Sequence, residues 1–184
     1  MNNPLRILQT LNGHLTKPTE LTIFGRSALA LGFQDSPPVF ATTEDVDAIL
    51  PLVWLAAEDE NLDFWEAQQK TNAELEPSGL YITHLFRELE VILTPYWLGN
   101  RVPVPVELSQ LTVFRPSTVD LILTKMARGD ENDLADIGFL LQKEKISADQ
   151  LRSAFERARV PEVPEIWELF RAARPKVLEM ARLR

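Results

Sequence analysis

The chain has 184 residues, 45% hydrophobic and 25% charged, the balance of a globular protein of one domain or one domain with a small helical appendage. It contains no cysteine, which excludes disulfides, thiolate metal sites and cysteine nucleophiles. The net charge of −8 is unevenly placed. Residues 1–100 hold 5 Lys/Arg against 14 Asp/Glu, and residues 101–184 hold 14 against 13. The first half therefore lacks the basic surface of a sequence-independent duplex binder and suits a site that gathers divalent cations.

The start, Met1-Asn2-Asn3-Pro4, lacks the basic and apolar runs of a signal peptide, and no apolar stretch reaches the length of a membrane span. A cytoplasmic location without a membrane partner is expected. Asn3-Pro4 opens an amphipathic helix through Leu5, Ile7, Leu8 and Leu11 that ends at Gly13, and the following His14 reads as structural. Leu21 to Phe24 reads as a buried strand. Phe24-Gly25-Arg26-Ser27 then turns into a helix through Ala28 to Leu31. Such a strand, glycine turn and helix start can cradle a phosphate: glycine admits an anion close to the backbone, and a helix N-terminus offers N–H groups and partial positive charge. Ser27 adds a hydroxyl and Arg26 a charge; the same residues also make an ordinary turn. Asp35, Ser36, Pro37 and Pro38 make residues 34–42 a loop.

The run Thr43-Glu44-Asp45-Val46-Asp47 follows. In a strand, residues i and i+2 share a face, so Asp45 and Asp47 aim two carboxylates at one point while Val46 points into a core. Like charges held that close repel unless a cation lies between them. Mg²⁺ prefers one or two carboxylates with phosphates and water, so the pair is a candidate metal clamp for phosphoryl or nucleotidyl transfer. The plainer alternative is a solvated strand end.

Residues 58–76 read as an exposed helix and Pro77-Ser78-Gly79 as a turn. Leu80–Phe86 and Glu90–Leu93 are expected as strands, with His84 read as structural and a ligand or base role as the alternative. Val104, Val106 and Leu108 alternate like a half-buried strand, and Leu111 to Phe114 is another. After Arg115-Pro116 the pattern is helical. Capping boxes begin at Ser117 and Ser147, a helix spans 131–143, and a last helix starts near Glu165 with an expected kink at Pro175. Lys125 and Arg128 share one helix face, and Asp133 and Asp136 share another. On spacing alone these four form either a salt-bridged hairpin or part of a site. The basic end (Arg171, Arg174, Lys176, Arg182, Arg184) is a solvated face or a contact for RNA or an acidic partner. The four tryptophans read as core or interface residues. Segregated strands and helices predict an α+β fold: a mixed β-sheet core over residues 1–114 and a helical C-terminal subdomain over 115–184.

Taken in order, an apolar strand, Gly-x-Ser opening a helix, a loop and Thr-x-Asp-Val-Asp on a strand resemble the nucleotidyltransferase superfamily with the DNA polymerase beta-type fold. The later Asp120-Leu-Ile-Leu-Thr-Lys125 and Asp133-Leu-Ala-Asp136-Ile137 stretches resemble its abortive-infection toxin-like branch. The resemblance covers roughly residues 20–142. It departs at Arg26, inside the glycine motif, and at Asn132, where that branch often has lysine. No third carboxylate is evident, although Glu88, Glu90 and Glu107 lie near predicted strands and Asp133 is an alternative.

The resemblance implies a fold, a reaction and roles. Gly25, Arg26 and Ser27 would hold a nucleoside triphosphate, Asp45 and Asp47 would hold Mg²⁺, Lys125 would contact the nucleotide phosphates, and Asp133 would supply the further carboxylate. An acceptor hydroxyl of RNA, such as tRNA, or of a protein would take the nucleotide, and an antitoxin-like protein would be a partner. The alternatives are a catalytically silent protein of this fold that binds a nucleotide or a protein, and an unrelated α+β interaction protein.

Overall fold

The computed structural model describes residues 2–183. Asn2 accepts the backbone N–H of Leu5 at 3.1 Å and so caps α1 (Asn3–His14), whose inner face buries Ile7, Leu8 and Leu11. β1 (Thr19–Phe24) runs directly into α2 (Gly25–Gly32). A 3₁₀ turn at Pro38–Thr42 lies within the predicted loop, followed by β2 (Asp47–Leu50), the short α3 (Leu52–Leu55) and α4 (Leu62–Leu75). β3 (Leu85–Arg87), β4 (Val102–Pro103) and β5 (Leu111–Arg115) complete the strands. The helices α5 (Thr118–Lys125), α6 (Glu131–Lys143), α7 (Ala148–Arg157) and α8 (Pro164–Arg182) follow, so the fold is α+β as the element order predicts. None of the described helices is long and apolar enough to cross a membrane.

The strands form one mixed sheet in the order β3-β2-β1-β5-β4. β1 pairs antiparallel with β2 and parallel with β5; β2 pairs parallel with β3, and β4 antiparallel with β5. The chain divides into two compact units, Met1–Glu88 with Arg101–Arg115 and Leu89–Asn100 with Pro116–Arg184.

The first unit holds the whole sheet. Leu21, Ile23, Ala48, Ile49, Leu111 and Val113 are buried. Asn12 of α1 accepts the N–H groups of Gln110 and Leu111, at 2.8 and 3.1 Å, and so ties the helix to the start of β5. The sequence suggests an exposed helix over residues 58–76, yet α4 buries Phe64, Ala67, Thr71 and Leu75. Its inward face mixes polar and apolar residues, which weakens the amphipathic signal.

Two predicted strands are shorter than expected, each for a local reason. Within Leu80–Phe86, the N–H of Ile82 donates to Asn72 Oδ1 at 2.8 Å, while Asn72 and Gln68 donate to the Ile82 carbonyl at 3.1 and 2.7 Å. Helix side chains thus claim that backbone, and the ladder starts at Leu85. Along Val102–Leu108, Pro103 and Pro105 remove donors, and only Val102–Pro103 pairs as a strand.

The predicted strand Glu90–Leu93 does not form: Glu90 ends a 3₁₀ turn, and in the second unit Leu93 makes a single antiparallel bridge with Arg159. Ser117 accepts the N–H of Asp120, and the buried Asp120 carboxylate accepts the Ser117 hydroxyl at 2.7 Å and the N–H of Thr94 at 2.7 Å. Asp120, in the first turn of α5 beside its capping Ser117, therefore also fastens the 89–100 segment. Ser147 and Gln150 form the predicted capping box at α7. α8 continues through Pro175 and buries Phe170, Ala173 and Val177.

Candidate functional site

The site in the first unit follows from strand register. In the antiparallel β1–β2 pair Phe24 lies opposite Asp47, which sets Asp47 beside the turn that Gly25 opens. In the parallel β2–β3 pair Ala48 lies opposite Leu85, so Asp47 and His84, each one residue earlier, are neighbours on the same face. The pairing continues backwards: Ala48 donates to the His84 carbonyl at 3.0 Å, Val46 to that of Tyr81 at 3.2 Å, and Asp45 bridges Tyr81. Val46 is fully buried between the two aspartates, which confirms the alternation expected from the sequence.

His84 Nδ1 is 3.1 Å from Asp47 Oδ1 and 3.5 Å from Asp45 Oδ2. The opposite oxygens are also placed. Asp45 Oδ1 accepts the Thr43 hydroxyl at 2.8 Å, and a Cβ added at Gly25 would lie 3.0 Å from Asp47 Oδ2. Asp45, Asp47 and His84 are the one group of three His, Asp or Glu residues among the described residues with potential ligand atoms all within 4.8 Å of one another. Both aspartate side chains are 26% exposed and the imidazole 51%, so the group is open to solvent and to a ligand. Tyr81 and Phe86 flank the imidazole, their ring centroids 6.0 and 6.2 Å away, and Phe86 in turn meets Phe24 edge-on at 5.6 Å.

Gly25 has φ +63°, in the left-handed region that glycine adopts without penalty. α2 starts at this residue with no side-chain cap and no acidic residue in its first turn, which leaves its positive end uncompensated by carboxylates of its own. Ser27 is buried, and its hydroxyl donates to the Phe24 carbonyl at 2.8 Å. It therefore fixes the turn from inside. The Arg26 guanidinium lies 5.9 Å from the centre of the Phe40 ring.

Lys125 and Asp133 belong to the second unit. The Lys125 ammonium is buried and lies 3.2 Å from Asp133 Oδ1 and 2.6 Å from Asp136 Oδ2. Arg128 adds two bonds to the Asp133 carboxylate, both at 3.0 Å, and Asp130 caps α6 through the Asp133 N–H at 2.8 Å. The four residues thus form an ion-pair network that joins the end of α5, the turn after it and α6; Arg128 lies in that turn and not on the helix where spacing put it, because α5 ends at Lys125. Among the described residues no buried side-chain polar atom lacks a hydrogen-bond partner. Of the carboxylates considered beside Asp45 and Asp47, Glu88 accepts the Leu52 N–H at 2.8 Å. The third member of the group is His84.

His14 pairs with Glu74 at 2.9 Å. In the basic end of the chain, Arg171 lies over Trp167, and Arg174 lies over Phe155 and Phe170.

A family model described as a nucleotidyltransferase of unknown function (DUF6036) matches residues 5–169. No curated protein and no solved structure matches the chain.

Proposed function

The chain belongs to this family of nucleotidyltransferases of unknown function, and from that premise we propose that it transfers a nucleotide from a nucleoside triphosphate to an acceptor hydroxyl with the help of a divalent cation. One observation carries the reading: Asp45 and Asp47 lie together, and Asp47 lies against the glycine turn that opens α2. A cation-binding pair and an anion-receiving helix start are thus side by side, which is what a metal–triphosphate complex requires.

The residues fit a divalent cation. Adjacent ligands of an octahedral ion with bonds of roughly 2.1 Å are about 3 Å apart, and the two measured contacts of His84 Nδ1 are 3.1 and 3.5 Å. Mg²⁺ is the ion that the family resemblance implies. When bound, it would neutralise charge on the phosphates and on the departing pyrophosphate. Asp45 and Asp47 would hold it, with Thr43 orienting Asp45. Gly25 gives the triphosphate close access to the backbone, Arg26 offers a charge beside it, and Ser27 keeps the turn in shape. Lys125 has two carboxylate partners, so we assign Lys125 and Asp133 to holding the α5–α6 hairpin; contact with a phosphate would require Lys125 to leave them. RNA such as tRNA, or a protein side chain, is the proposed acceptor. A toxin–antitoxin setting with an antitoxin-like partner rests on the sequence resemblance alone.

A second reading, a catalytically silent protein that binds a nucleotide or a partner, is favoured by one feature: the third member of the group is an imidazole and not a carboxylate. Incubation with each α-labelled nucleoside triphosphate, Mg²⁺ or Mn²⁺, and total tRNA or a protein mixture separates the two. The expected result is label on the acceptor, abolished by Asp45→Asn and by Asp47→Asn. Nucleotide binding without transfer under every combination would establish the silent reading instead.

A further inference from the structure

We infer that His84 is a metal ligand and that the Asp45–Asp47–His84 group prefers a first-row transition cation, with Mn²⁺ as the probe, over Mg²⁺. This rests on the reading of the aspartate pair as a cation clamp. Three observations support it. First, backbone pairing places His84 there: it directly precedes the Ala48–Leu85 pair of β2 and β3, and its carbonyl accepts the Ala48 N–H. Second, Nδ1 faces one oxygen of each carboxylate, at 3.1 and 3.5 Å, while their other oxygens face Thr43 and Gly25. Both distances from Nδ1 are those of adjacent ligands around one ion, and ligand atoms of the three residues all lie within 4.8 Å of one another. Third, the ring is half exposed but oriented, with Tyr81 and Phe86 beside it and its own backbone carbonyl bonded to Ala48. A histidine kept only for packing gains little from such exposure.

The consequence lies in donor chemistry. Mg²⁺ is hard, favours oxygen ligands and gives up water reluctantly. Imidazole nitrogen suits the later, softer divalent ions, while carboxylates suit Mg²⁺ and Mn²⁺ alike. Replacing one oxygen of an all-oxygen site by nitrogen weakens Mg²⁺ more than it weakens Mn²⁺. The competing account is that the imidazole, carrying its own proton, is itself the positive partner of both carboxylates, with no room for an ion.

Titration of the full-length protein with Mn²⁺, followed by electron paramagnetic resonance with Mg²⁺ as competitor, decides the matter. The bound Mn²⁺ is expected to show hyperfine coupling to an imidazole nitrogen. His84→Ala should remove that coupling and weaken Mn²⁺ binding by about tenfold to a hundredfold. His84→Asp should keep divalent binding and lower the preference for Mn²⁺ over Mg²⁺ on the order of tenfold. Thermal midpoints of both variants report that the fold is retained.

Mn²⁺ bound without nitrogen coupling, or an unchanged preference in His84→Asp, overturns the inference; loss of Mn²⁺ in Asp45→Asn would then show that the clamp itself stands. No saturable binding of either ion overturns both and leaves the imidazolium account. Nitrogen-coupled Mn²⁺ with no nucleotidyl transfer overturns the proposed function alone.

Discussion

Gly25 combines two demands that a side chain cannot meet together. Its φ of +63° disfavours any residue with a Cβ, and that Cβ would also press on the Asp47 carboxylate at 3.0 Å. Gly25→Ala is expected to cost roughly 1–2 kcal/mol from the backbone alone and to weaken cation binding by displacing Asp47, as urea denaturation and Mn²⁺ titration would show. Asp45→Asn should leave the thermal midpoint level or raise it while ending transfer, because it relieves repulsion between two carboxylates; a large drop in midpoint would mean that the pair is structural. Lys125→Met should lower stability by about 3 kcal/mol, since it takes the buried ammonium away from Asp136 and leaves Asp133 to Arg128. The added Asp136→Leu change should recover part of that loss. The aspartate pair was legible in the sequence because residues two apart share a strand face, a rule that needs no partner. His84 was not: its place opposite Asp47 depends on pairing with a segment nearly forty positions away. The inward turn of the Ser27 hydroxyl was equally hidden, because spacing does not tell which way a helix-start serine points.

At the scale of elements, α4 governs how the site is presented. Its Asn72 and Gln68 hold the backbone of Ile82, two residues before the imidazole. Asn72→Ala removes the acceptor of the Ile82 N–H, leaves Gln68 alone on the Ile82 carbonyl and should cost about 1–3 kcal/mol; it should also weaken Mn²⁺ binding without any change at a ligand. The start of α4 is anchored by Asp63, which accepts the Thr16 hydroxyl at 2.6 Å and the N–H groups of Thr16 and Lys17 at 3.0 and 3.1 Å. The Thr16 hydroxyl holds the Asp63 carboxyl below its ordinary value; burial opposes this, and the two N–H groups and the Lys17 charge assist it. A carboxyl lowered on folding contributes stability that is full above its unfolded value, near 3.8, and is lost as pH falls through the folded value. Urea midpoints measured from pH 7 to pH 3 should therefore fall more steeply in the native protein than in Asp63→Asn. Parallel curves would show that this anchor is not linked to protonation. Helices such as α6 and α7 were legible because caps and periodicity are local, and Ser147 meets Gln150 as spacing implies. The strand at Leu80–Phe86 was overestimated because a helix side chain can satisfy a strand's backbone, and alternation does not reveal the donor.

For the molecule as a whole, the family match over residues 5–169 takes in most of both compact units, so the nucleotidyltransferase relationship is not confined to the sheet. The turn to helices after Arg115-Pro116 was legible from caps and periodicity. The allegiance of residues 89–100 was not legible, because it is made by Asp120 holding Thr94 and by Arg159 bridging Leu93, both far along the chain. A fragment ending at residue 115 should consequently leave Ile92, Leu93 and Trp97, all buried in the intact protein, without their cover, and circular dichroism and light scattering should report poor folding and aggregation. The backbone passes from one unit to the other three times, after Glu88, Asn100 and Arg115. No one protease nick can release either half whole, and anyone grafting the helical half onto another scaffold must splice Asn100 to Pro116 or bring the sheet along.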